Sequence, residues 1–157
     1  MPSIETWELL SYIVTVLGLP LAIGVFVYEK RQERAAEDEE VYEALSSSYQ
    51  DFLRLALENP DLRLLSAVRT DNLTDEQSER MLAIFGMLIS LFERAYLLLY
   101  ESDLSGKEAR RWRSWEDFMQ EWCTREDFRE SIPRLLQGED AEFADYLSKL
   151  ASEAEVR

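Results

Sequence analysis

The densest concentration of groups able to do chemistry is the stretch KEARRWRSWEDFMQEWC, residues 107–123. Lys107, Arg110, Arg111 and Arg113 are interleaved there with Trp112, Trp115 and Trp122. Guanidinium groups offer hydrogen-bond forks to phosphate or carboxylate, and indole faces stack on bases, so the combination could hold a small anionic, nucleotide-like ligand. A helical reading separates these roles. Trp112, Trp115, Met119 and Trp122 fall within about 80° of one another on a helical wheel, as an aromatic core face does. The basic residues fall largely on other faces, where neighbouring acids can pair with them. The expectation is a tryptophan core with a salt-bridged outer face, and an anionic-ligand cluster is the alternative.

Other chemistry is sparse. Glu37, Asp38, Glu39 and Glu40 are four consecutive acids, but successive helical side chains radiate in different directions, so they read as a solvated surface. The chain has no histidine, which removes the usual general base, proton shuttle and commonest metal ligand. Its single cysteine, Cys123, excludes an intrachain disulfide and a multi-cysteine zinc site and reads as a small buried thiol. There is no glycine-rich phosphate loop and no nucleophile elbow. No catalytic residue, metal ligand or cofactor is assigned, and a non-enzymatic role is expected. The net charge of −15 gives no electrostatic footprint for DNA or RNA, so no nucleic-acid partner is expected.

Few glycines and prolines and abundant Leu, Glu, Ala and Arg favour helices, and the fold class expected is all-α. The most informative element is LLSYIVTVLGLPLAIGVFVY, Leu9 to Tyr28, which carries no charge over 20 residues. As a helix it is about 30 Å long, the thickness of a bilayer's hydrocarbon core. The preceding MPSIETWE lacks a basic region, and the far end lacks a small-residue cleavage site, so the segment reads as a retained anchor. Trp7 and Tyr28 sit at its edges, where amphipathic rings prefer the interface. Lys30, Arg31 and Arg34 form a basic collar on the C-terminal side, which places the C-terminus in the cytoplasm and the N-terminus outside. Pro20 should kink the span. Ser11, Thr15, Gly18 and Ala22 fall within about 60° of one another and form a stripe of small residues suited to close helix–helix packing in the membrane.

The organisation expected is therefore an extracytoplasmic tail (1–8), a transmembrane helix (9–28), a charged juxtamembrane stalk (29–40) and a cytoplasmic helical domain (41–157). Within that domain, Leu45, Tyr49, Phe52 and Ala56 form one face of a helix that Asn59-Pro60 should stop. Thr74 and Gln77 have the capping-box spacing. They launch the segment around MLAIFGMLISLFERAYLLLY, Met81 to Tyr100, which is apolar on nearly every side. Its uninterrupted run of 12 residues before Glu93 and Arg94 is more typical of a buried core helix than of a second span. Thr124 should cap a short helix, TREDFRES; Pro133 should begin or break the next turn and Gly138 end it. Phe143, Tyr146, Leu147 and Leu150 form one face of a last helix, and the tail SEAEVR should fray. The soluble part is expected to close as a helical bundle.

A single span followed by YEKRQERAAEDEEVYEALSSSYQDFLRLALENPDL, the apolar central helix, and WRSWEDFMQEWCTREDFRES with AEFADYL resembles a family of small bacterial membrane proteins of unknown function. The resemblance implies a single-pass protein of the bacterial inner membrane with a helical cytoplasmic domain. Its motifs are packing motifs, so it implies no activity and no functional residue.

Two functions fit these observations. One is a membrane-anchored interaction or assembly protein that contacts lipid, self-associates as a homo-oligomer and presents its helical domain to a cytoplasmic protein partner. The alternative is a ligand-gated membrane effector, as in bacterial defence or stress responses, that senses a small anionic signal through Lys107, Arg110, Arg111 and Arg113.

Overall fold

The computed structural model describes the backbone of residues 4–155 and the side chains of residues 20–155. Among the described residues the protein is all-helical, with five α-helices and no strand. The chain divides into two compact units, Met1–Val41 and Tyr42–Arg157.

Helix α1 runs from Ile4 to Glu58 and contains Pro20 without ending there. The stalk and the helix after it are thus one continuous element, for which the Glu- and Ala-rich sequence has good intrinsic propensity. From Pro20 to Asp38 every described side chain of α1 is exposed. Leu21, Ile23, Val25, Phe26, Val27 and Tyr28 are all between 43% and 71% exposed. Successive residues step about 100° around a helix, so this apolar surface is bare on all sides.

In the second unit α1 presents Leu45, Tyr49, Phe52 and Ala56 to the core. It ends at Glu58, where Pro60 opens a short 3₁₀ turn, Pro60–Leu62, because proline disfavours the helical conformation of the residue before it. The Asn59 amide donates to the carbonyl of Leu55 at 2.8 Å and accepts from Arg80 at 2.8 Å, so the stop is itself held in place. Helix α2, Asp75–Leu99, begins with the expected capping box: Thr74 Oγ1 accepts from the Gln77 N–H, and the Gln77 side chain accepts from the Thr74 N–H.

Helices α3 (Gly106–Cys123), α4 (Glu126–Leu135) and α5 (Ala141–Glu155) each pack on α2 and on one another. Phe85, Leu88, Ile89 and Phe92 of α2 are at most 1% exposed at the centre of these contacts. By length and composition α2 is the one helix among the described residues that could cross a membrane, and nearly half of its most apolar stretch is buried inside the protein. Its outer face leaves Met87, Leu97 and Leu98 exposed.

The fold differs from expectation in three places. Thr124 closes α3, donating to the carbonyl of Glu121 at 2.6 Å, and Arg125 takes the N-cap position of α4. Pro133 lies inside α4, which continues to Leu135, as Phe128 and Ile132 anchor the helix in the core. At the C-terminus, α5 stays helical through Glu155. Its first turn is held by Asp140 Oδ1, which accepts from the N–H groups of Glu142 and Phe143 at 3.0 Å.

Candidate functional site

The aromatic stripe on α3 is core, as its spacing predicts. Trp112, Trp115, Met119 and Trp122 are between 0% and 7% exposed. Trp115 meets Tyr49 and Phe92 edge-on, with centroids 5.8 and 6.5 Å away. These indoles pack against protein, so they are not stacking platforms.

The basic cluster of α3 divides. Lys107, Arg110 and Arg113 are exposed, while Arg111 is buried. The Arg111 guanidinium carbon lies 4.7 Å from the centre of the Tyr42 ring, a cation–π contact that helps to offset desolvation. Burial thus sets Arg111 apart from the three exposed cations of the pattern. Lys30, Arg31 and Arg34 are exposed on α1, with Lys30 Nζ 4.0 Å from Glu33. Ala22 is exposed, while Ser11, Thr15 and Gly18 lie outside the described side chains. Cys123 is fully buried, and burial pushes its thiol up to about 12 despite the nearby charge of Arg129. It is thus a poor nucleophile near neutral pH. Among the described residues, no group of three or more Cys, Asp or Glu side chains is placed to hold a metal ion.

The structured polar centre of the domain is Arg125, only 2% exposed. Its Nε donates to Asp127 Oδ1 at 2.6 Å and its Nη2 to Asp127 Oδ2 at 2.8 Å. Nη2 also donates to Thr70 Oγ1 at 3.0 Å. Nη1 donates to the carbonyls of Arg63 and Ser66 at 2.8 Å, and more distantly to that of Leu64 at 3.3 Å. Asp127 in turn accepts from the Thr70 N–H at 3.2 Å, and Thr70 Oγ1 donates to the carbonyl of Leu62 at 2.8 Å. All five N–H groups of the guanidinium are used, and its charge is matched by one bidentate carboxylate. This network pins the loop after the 3₁₀ turn to the start of α4 and holds Arg63 in its left-handed conformation, φ 47°.

The pinned loop forms one wall of a cavity of about 360 Å³. Leu64, Leu65 and Ala67 of the loop face Tyr49 and Leu53 of α1 and Phe118 of α3 across it, with Glu121 and Trp122 also lining the space. Tyr49 and Phe118 stack with centroids 4.4 Å apart. Trp122 Nε1 donates to the Tyr49 hydroxyl oxygen at 3.2 Å. Burial holds the Tyr49 phenol above its ordinary range; the Trp122 hydrogen bond opposes this shift and the Glu121 charge adds to it. The sequence pattern singled out Tyr49 and Trp122 as core, but not Arg125 or the cavity. Half of the Arg125 hydrogen bonds go to backbone carbonyls about sixty residues away, which leave no side-chain signature.

No protein-family model, curated protein or solved structure matches the chain.

Proposed function

We propose that the protein is a membrane-anchored, non-enzymatic assembly protein. Its N-terminal helix lies in lipid and self-associates, and its C-terminal helical bundle faces the cytoplasm to meet a protein partner. The observation that carries this reading is the apolar surface of α1 from Leu21 to Tyr28, exposed around the whole circumference of the helix and followed by Lys30, Arg31 and Arg34. A helix docking on protein needs one apolar face; a helix in hydrocarbon needs all of them. The basic collar supports a cytoplasmic C-terminus by the positive-inside rule. The family resemblance adds that the membrane is the bacterial inner membrane. For α2, burial of Phe85, Leu88, Ile89 and Phe92 against α3 to α5 supports a core helix, giving a single-pass topology.

Self-association rests on the stripe Ser11, Thr15, Gly18 and Ala22, where small side chains let two backbones approach. Gly18→Leu places a branched side chain in that seam. Gly24→Leu makes the same chemical change about 160° away from the stripe, at a position where an added Cβ meets nothing within 4 Å. Both changes raise helix propensity and hydrophobicity, so each controls for the other. Cross-linking in membranes should show the oligomer lost in Gly18→Leu and kept in Gly24→Leu. Equal behaviour of the two variants would remove the seam from the account.

A further inference from the structure

We propose that the cavity between Tyr49, Leu53, the loop at Leu64 to Ala67, Phe118 and Trp122 is a binding site for a small amphipathic organic cation, an ammonium head on a hydrocarbon or aromatic body. The inference is independent of the membrane reading and rests on which charges at the cavity are free.

Two ionisable side chains of opposite sign, Arg125 and Glu121, line the space. An arginine at a cavity ordinarily suggests an anionic ligand. Here every guanidinium N–H of Arg125 already has an acceptor on Asp127, Thr70 or the carbonyls of Arg63, Leu64 and Ser66. No donor is left for a ligand, and the bidentate Asp127 cancels the charge locally. Glu121 is different: its backbone carbonyl serves Thr124, while its carboxylate has no ion pair among the described residues. The uncompensated charge at the cavity is therefore negative.

The remaining lining suits the body of such a cation. Leu53, Leu65 and Ala67 supply apolar surface, and the half-buried Phe118 ring supplies π-electrons that attract an ammonium group. A volume of about 360 Å³ lies in the range of small-molecule sites, which are mostly apolar with few polar groups. Beyond Glu121, a second groove carries Asp117 and Glu153, and the whole chain is at −15. Both raise the local concentration of cations and oppose anions.

The test uses the full chain in a non-ionic maltoside detergent. Benzyltrimethylammonium and hexyltrimethylammonium are titrated by calorimetry, with benzenesulfonate as the probe of opposite sign. At least one cation should bind saturably with one site per chain, and benzenesulfonate should not. Glu121→Gln, at an exposed position, should bind that cation about tenfold more weakly with an unchanged circular dichroism spectrum. Ala67→Trp, which crowds the loop wall, should abolish binding. Absence of saturable binding by either cation, equal affinity in Glu121→Gln, or equal affinity for benzenesulfonate would each overturn the proposal.

Discussion

Replacing Arg125 with methionine should destabilise the domain more than any surface change. Methionine has a similar length and fills much of the same space, so the perturbation is chiefly the loss of charge and donors. Asp127, whose side chain is 12% exposed, would be left as an unpaired carboxylate. Removing one partner of a buried ion pair costs about 3–5 kcal/mol, because the other charge stays desolvated. The carbonyls of Arg63, Leu64 and Ser66 would lose their shared donor. The Arg63 carbonyl keeps the Ser66 N–H at 3.0 Å and water can reach the part-buried loop, so the lost acceptor bonds together add only about 1 kcal/mol. A total near 4–6 kcal/mol is a large share of the about 5–15 kcal/mol that stabilises an ordinary domain. Melting followed by far-ultraviolet circular dichroism should fall by about 10–20 °C. The double variant Arg125→Met with Asp127→Asn should recover part of the loss, since it removes the stranded charge. A fall of under about 1 kcal/mol in Arg125→Met would refute the reasoning, as would a double variant less stable than the single one by the full cost of Asp127→Asn alone.

Two further outcomes follow from the core and from the turn before α5. Trp115, 1% exposed, should cost about 3–5 kcal/mol when truncated to alanine, measured by urea unfolding; a change of a few tenths would mean that the indole is not core. Glu139 is held above the usual carboxylate range by its hydrogen bond with Glu93, then by burial and by the Glu93 charge, with Ser90 opposing. Its protonated form is therefore the one the fold favours. The stabilisation is fully present below the ordinary value of 4.5 and is lost as pH rises through the raised value. Glu139→Gln, which keeps a donor without the charge, should melt higher than the parent at pH 7, and the gap should close towards pH 4. A gap independent of pH would contradict this sign.

Periodicity made much of the helical pattern legible. The tryptophan spacing on α3, the Asn59-Pro60 stop and the Thr74–Gln77 box each depend on residues a few positions apart, and each is found in the structure. What periodicity could not reveal depends on distant partners. Arg111 looks like one of four equivalent surface cations until Tyr42 is placed against it. Arg125 looks like one charge in the polar run TREDFRE, because three of its acceptors are backbone carbonyls of a loop that has no sequence signature of its own. The cavity exists because that loop is pinned, so it was equally hidden. Pro133 misleads for a related reason: its missing N–H argues locally for a break, while burial of Phe128 and Ile132 outweighs the lost hydrogen bond.

The central claim, that the N-terminal part of α1 lies in lipid while its C-terminal turns and α2 to α5 form a domain able to stand in water, is tested most directly by fractionation. The full chain and a chain beginning at Glu33 would be expressed in bacteria, and their membranes washed with alkaline carbonate. The account predicts that the full chain stays in the washed membrane pellet and that the shorter chain is recovered, folded and helical, in the soluble fraction. Release of the full chain by the wash would contradict the anchor, and retention of the shorter chain in the pellet would contradict the assignment of α2 to the core.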